Sequence, residues 1–178
     1  MSVVGFDLLP ELVDKAKKYA ENCTFYQGDI LKPTSSPKNF AQIVTCTGVL
    51  SIFDSFECCI DNLIYWEKPG GIIFLHSLFN NYPVDVQVKY NLSRNYGQGV
   101  LESGWNIFSK ESVSSHLNKL KSKNVIKSFV FHDFEMRREI LKKEDIIRSW
   151  TQRDENGQYQ ITNALMLLQP HSVLEIRK

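Results

Sequence analysis

The chain opens on a run that leaves little choice of fold. Val3-Val4-Gly5-Phe6-Asp7 is an apolar strand ending in an acid, and Pro10-Glu11-Leu12-Val13-Asp14-Lys15-Ala16 begins a helix directly after it. Leu12, Val13, Ala16, Tyr19 and Ala20 then recur at helical spacing with Lys15, Lys17 and Lys18 opposite, so one side of this helix is expected to pack on a sheet. The alternation continues. Residues 23–29 form a short strand closed by Gly28-Asp29, and 40–46 form an apolar strand opening into Thr47-Gly48-Val49-Leu50. Residues 56–66 form a helix stopped by Lys68-Pro69-Gly70-Gly71, and Ile72-Ile73-Phe74-Leu75 is a strand ending in His76-Ser77. Strands and helices alternating at this spacing form βαβ units and a doubly wound parallel sheet, in which helices on both faces would bury Ile73 and Phe74 alike. Ligands of such sheets bind at the carboxyl ends of the strands, which puts Asp7, Asp29, Cys46 to Gly48 and His76-Ser77 along one edge.

The alternation breaks at 80–104, a long polar stretch with Gly97 and Gly99 near its middle. An irregular insertion of this length reads as a lid, and 81–108 is assigned as a lid or substrate cap. Ser109 then caps a helix that turns Val113, Leu117 and Leu120 inward, and 128–136 is a strand. Asn156-Gly157 supplies the two positive-φ positions of a hairpin spanning 149–162, and 172–177 closes the chain as a strand. The whole of 1–178 reads as a single domain.

Composition narrows the function. Hydrophobic residues make up 43% of 178 residues, enough for a sizeable core, and a formal charge of +1 gives no footprint for nucleic acid or an anionic membrane. No apolar run approaches the roughly 18 residues of a membrane span, and no basic leader precedes the first strand, so a cytoplasmic protein with small-molecule or protein partners is expected. Cys23, Cys46, Cys58 and Cys59 stand in apolar strand or helix contexts and read as reduced, buried thiols; the adjacent Cys58-Cys59 pair lacks the spacing of metal ligands, so no metal site follows.

Four segments in order carry a resemblance. Val4-Gly5-Phe6-Asp7-Leu8-Leu9-Pro10-Glu11, Gln27-Gly28-Asp29-Ile30, residues 40–50 and Lys68-Pro69-Gly70-Gly71 resemble, at the right spacing, the ribose-binding unit, adenine-binding turn, methionine-side strand and following turn of the class I, Rossmann-like S-adenosylmethionine-dependent methyltransferases. The resemblance implies a mostly parallel sheet with an antiparallel C-terminal strand. It also implies roles. Asp7 would accept both ribose hydroxyls beside Leu8, Asp29 would accept from the adenine amino group with Ile30 on the ring, and Cys46, Thr47 and Gly48 would line the methionine arm. On the substrate side stand Tyr82, Trp105 and Asn106, with His76 and His132 as the candidate general bases; methyl transfer to oxygen or nitrogen needs a deprotonated acceptor in line with the sulfonium.

The chain departs from that family in two ways. Leu9 occupies the place of a small polar helix cap, a cost of about 1 kcal/mol. More important, the first βα unit, with its strand and glycine-rich loop, has no counterpart ahead of Val3, so the chain reads as N-terminally truncated. If that loop gives two or three hydrogen bonds to charged cofactor groups, at about 1.5–3 kcal/mol each, its loss would remove much of the roughly 8 kcal/mol of a micromolar complex. Two functions therefore stand open: methyl transfer to a small molecule, weak or absent without the loop, and a non-catalytic binding or assembly module of the same fold. The missing strand also predicts apolar edge surface at Val3, Val4, Ile43 and Val44. Either the strands at Val3 and Ile43 pair directly, or a homodimer forms in which the N-terminal segment or the hairpin crosses between subunits.

Overall fold

The structure is a computed structural model that describes residues 2–99 and 101–178; Met1, inside the expected domain, and Val100, inside the expected cap, lie outside the described residues. In chain order the elements are β1 (Val4–Asp7), α1 (Pro10–Tyr19), β2 (Thr24–Gln27), β3 (Ala41–Thr47), α2 (Glu57–Trp66) and β4 (Glu67–Asn80). After these come β5 (Lys89–Tyr90), β6 (Glu102–Ser103), β7 (Phe108–Ser109), α3 (Lys110–Ser122) and β8 (Ser128–Asp133). The chain ends in β9 (Trp150–Arg153), β10 (Tyr159–Thr162) and β11 (His171–Arg177).

The main sheet has the order β3-β4-β11-β8, with β7 paired to the far end of β4. β3 runs parallel to β4, and β11 lies antiparallel between β4 and β8. β1 and β2 form a separate parallel pair. Neither β1 nor β3 has a strand on its other edge among the described residues, so the two do not pair with each other. The two sheets are joined instead through side chains. Phe6 of β1 meets the ring of Trp66 edge to face at 5.2 Å, and the Trp66 indole donates to the Pro33 carbonyl.

The period-2 pleat sorts the main sheet into two unlike faces. Cys46, Ile73, Leu75, Leu174 and Ile176 face α2 and α3 and form the core with Leu50, Phe56, Ile60, Leu63, Val113 and Leu117. The opposite face carries Ile43, Thr45 and Thr47 of β3, Phe74 and His76 of β4, Val173 and Glu175 of β11, and Val130 and His132 of β8. Ile43 is 53% exposed and Val130 51%, while Phe74 and Val173 are half-buried. The expectation of helices on both faces is therefore corrected: Ile73 is fully buried and Phe74 is not.

Two further expectations change. On α1 only Val13 is buried; Leu12 is exposed and Tyr19 is 82% exposed, because this helix rests on the narrow β1-β2 pair and has little sheet to cover. All four cysteines are free, but only Cys46 and Cys59 are buried; Cys58 is exposed, its thiol donating to the Leu31 carbonyl, and Cys23 is half-buried. The Lys68 to Gly71 turn proves to be a bulged start of β4. Gly70 has a φ of +75°, the β3-β4 register shifts between Ala41 and Ile43, and a Cβ at Gly71 would stand 2.8 Å from the Gln42 carbonyl oxygen.

Candidate functional site

The ends of β1 and β2 lie side by side. Gly28 N–H donates to the Asp7 carbonyl at 2.9 Å, and the Gln27 side-chain amide donates to the Leu8 carbonyl at 3.0 Å. Each strand end carries a carboxylate held in the same way. Asp7 Oδ1 accepts the amide of Leu9 and Asp29 Oδ1 the amide of Leu31, both at 2.9 Å, a side-chain turn that fixes the carboxylate two residues back. Both groups are half-buried. The second oxygen of Asp29 faces Lys32 at 3.6 Å, and among the described residues no hydrogen bond occupies the second oxygen of Asp7. Leu9 gives α1 no side-chain cap, and the carboxylate of Asp7, on the Leu9 amide, lies close before the helix start, where the positive end of the helix favours an anion.

At the end of β3 the chain turns on Gly48, whose φ is +71° and whose missing Cβ would meet nothing within 4 Å. Its amide donates to the His76 carbonyl at 3.0 Å, and Thr47 is the register partner of His76. Cys46 does not share this edge. Its side chain points into the core toward Cys59, so only its backbone reaches the end of the strand. Leu8 is exposed beside Asp7, while Ile30 packs partly against the core and gives its carbonyl to Asn62.

The His76 ring faces that of His171, the first residue of β11. His171 Nδ1 and His76 Nε2 are 3.0 Å apart, the ring centroids 5.0 Å apart and the planes tilted by 8°. A centroid separation that much longer than the N···N distance means that the rings meet edge to edge in nearly one plane, joined by a hydrogen bond rather than stacked. Burial holds His76 below the ordinary histidine value, and burial with the charge of His76 pushes His171 down to about 4. Sequence reasoning missed His171. The signal was available: carrying the alternation of the last strand one residue back puts His171 on the face of Val173 and Glu175. His132, the other candidate base, lies on β8 beyond Val173, where it pairs with Glu175 at 3.2 Å.

The segment assigned as a cap is tied down at its base. Asn106 is fully buried; its amide nitrogen donates to the Phe53 carbonyl at 2.7 Å, and its oxygen accepts from the Val88 amide at 2.7 Å. Lys89 donates to both oxygens of Asp54 at 2.7 Å, and this ammonium holds the Asp54 carboxyl below its usual range. These bonds clamp residues 86–107 onto the turn that follows Gly48. Asn106 is thus engaged by backbone groups, Trp105 sits at a φ of +57° against the Tyr90 ring, and Tyr82 is 75% exposed elsewhere on the segment. Within the segment β5 and β6 form a short antiparallel pair, and the rest of its described residues are largely irregular. No helix of the described residues is long and apolar enough to cross a membrane.

Solved structures share this architecture. The chain superposes on the YcgJ protein of Bacillus subtilis with a TM-score of 0.58 at 13% identity, covering 99% of this chain and 82% of that one. It superposes on a SAM-dependent methyltransferase of Methanosarcina mazei with a TM-score of 0.59 at 13% identity, again covering 99% and 82%. DhpI in complex with SAM and HEP gives a TM-score of 0.59 at 14% identity, covering 99% of this chain and 68% of DhpI. At these identities the likeness is one of fold, a Rossmann-like methyltransferase sheet. No protein of curated function matches the sequence. The methyltransferase domain profile, in contrast, matches residues 1–125 directly, more than half of the chain. By that match, this chain belongs to the methyltransferase domain family.

Proposed function

We propose that the chain binds S-adenosylmethionine across the ends of β1, β2 and β3 and transfers its methyl group to a small-molecule acceptor. The observation that supports this reading is the pair of carboxylates at neighbouring strand ends, Asp7 and Asp29, each fixed at one oxygen by the chain itself. That arrangement fits a ligand offering a diol to one acid and an amino group to the other. Asp7 takes the ribose hydroxyls and Asp29 the adenine amino group, with Leu8 and Ile30 as apolar walls. Thr47 and the open turn at Gly48 line the methionine arm, and Cys46 contributes backbone only. The cofactor supplies an electrophilic methyl on a sulfonium. On the acceptor side His76 is the base, in preference to His132, and the clamped segment 81–108 with Tyr82, Trp105 and Asn106 forms the cap over a single domain. Incubation with methyl-labelled S-adenosylmethionine and a panel of small phenols, amines and carboxylic acids tests this. Transfer that survives His132→Ala and falls with His76→Ala is expected; transfer lost only with His132→Ala would reverse the assignment of the base.

A second reading, an assembly module, draws on one specific observation. Among the described residues β1 and β3 each have one edge without a pairing strand, beside exposed apolar side chains, Val3 at 42% and Ile43 at 53%. Free parallel edges next to exposed apolar surface invite pairing, and a second copy of the chain supplies it as a homodimer. Light scattering at micromolar concentration should give twice the monomer mass. A monomeric mass with a cooperative melt would remove this reading.

A further inference from the structure

We propose that His171 is a positioning residue for His76: it accepts the His76 Nε2–H at its own Nδ1 and so leaves the Nδ1 lone pair of His76 free to take the proton of the methyl acceptor. This rests on the methyl-transfer reading above and adds to it the residue that orients the base.

Neutral imidazole has one N–H and one lone pair, so two rings joined by a single hydrogen bond must hold complementary tautomers. The edge-to-edge geometry at 3.0 Å is that bond. Burial favours the neutral form of both rings, and of the two arrangements the proposed one leaves the free lone pair on His76, the ring whose register partner is Thr47 at the end of β3, with His171 and the Phe134 ring behind it. Among the described residues the register partners of His76 are uncharged. Thr47 flanks His76 on β3, Phe74 and Leu78 precede and follow it on the same face of β4, and Val173 lies across from it on β11. The Phe134 ring packs edge-on to His171 at 6.5 Å. The hydrogen-bonded pair of His132 with Glu175 lies along the row beyond Val173.

The step balances. The acceptor X–H bond breaks as its proton goes to His76 Nδ1, and the freed electron pair forms X–CH₃. The S–CH₃ bond of the sulfonium donor breaks with its pair going to sulfur, and the imidazolium returns its proton to water. General-base assistance of this kind is worth roughly 10²–10⁴ in rate, and loss of the orienting partner forfeits part of it.

The test is imidazole ¹⁵N NMR on the full chain, wild type, His171→Asn and His171→Phe, followed by the transfer assay at several pH values. Wild type should show His76 protonated at Nε2 with Nδ1 bare. His171→Phe should release both the tautomer and the titration of His76 toward ordinary behaviour. His171→Asn, whose side-chain oxygen can accept the same proton, should restore them. Turnover should fall about tenfold or more in His171→Phe, with unchanged cofactor KM and an altered pH profile, and recover in His171→Asn. A His76 ring protonated at Nδ1, or one indifferent to His171→Phe, overturns the inference even if methyl transfer stands. The expected tautomers in a protein that binds no S-adenosylhomocysteine would overturn the proton-taking role through failure of the methyl-transfer reading instead.

Discussion

The amide of Gly48 is hydrogen-bonded to the carbonyl of His76 at 3.0 Å, so the turn that ends β3 is pinned against the middle of β4 rather than left free above the sheet. The turn depends on a left-handed backbone with open space around it. Gly48→Ala should therefore cost only the conformational penalty, about 1–2 kcal/mol in a denaturant melt. A loss beyond about 3 kcal/mol would mean that a neighbour fills the space this account leaves open for a ligand.

The two faces of the main sheet predict unequal costs at adjacent residues. Ile73→Ala should destabilise by about 2–5 kcal/mol, since Ile73 is sealed beneath α2 and α3. Phe74→Ala removes a larger side chain but should cost less, because its face has no helix over it. Equal losses in the isolated monomer would show that this face is covered after all.

Glu67 is fully buried, and among the described residues neither carboxylate oxygen has a hydrogen-bond partner. Burial raises its carboxyl above the usual range, with Lys178 pulling the other way. A raised folded-state value means that the folded chain keeps this proton to higher pH than the unfolded chain does. Stability from this site is therefore present below the unfolded value and is lost as pH rises toward the folded one. Glu67→Gln, which has no proton to lose, should flatten that slope. Melts of the two proteins that run parallel from pH 4 to 8 would contradict it.

What the sequence made legible follows from periodicity. The strand-helix alternation from Val3 to Leu75 placed the acids of Asp7 and Asp29 and the turn at Gly48 at strand ends, because these depend on local pattern alone. The dipeptide Asn156-Gly157 likewise marked the turn between β9 and β10, which pair antiparallel, although only Gly157, at a φ of +77°, takes the positive φ expected of both. Coverage was not legible. Whether Phe74, Leu12 and Tyr19 are buried depends on which elements lie above them, and alternation looks the same on a covered and an uncovered face. Pairing between distant residues was hidden for the same reason: His76 and His171 meet only because β11 inserts antiparallel beside β4. Asn106 looked like a pocket residue, yet its role is set by the backbone groups of Phe53 and Val88 that the fold brings to it.

The proposed hold of the Asp7 carboxylate on the cofactor is tested by calorimetric titration of S-adenosylhomocysteine into wild type and Asp7→Ala. Loss of hydrogen bonds to a charged acceptor, at about 1.5–3 kcal/mol each, should weaken binding by at least about tenfold in the variant, while the free protein loses only the roughly 1 kcal/mol of stability that the bond from Asp7 to the Leu9 amide contributes. Equal affinity in the two proteins would remove Asp7 from the site and contradict the account.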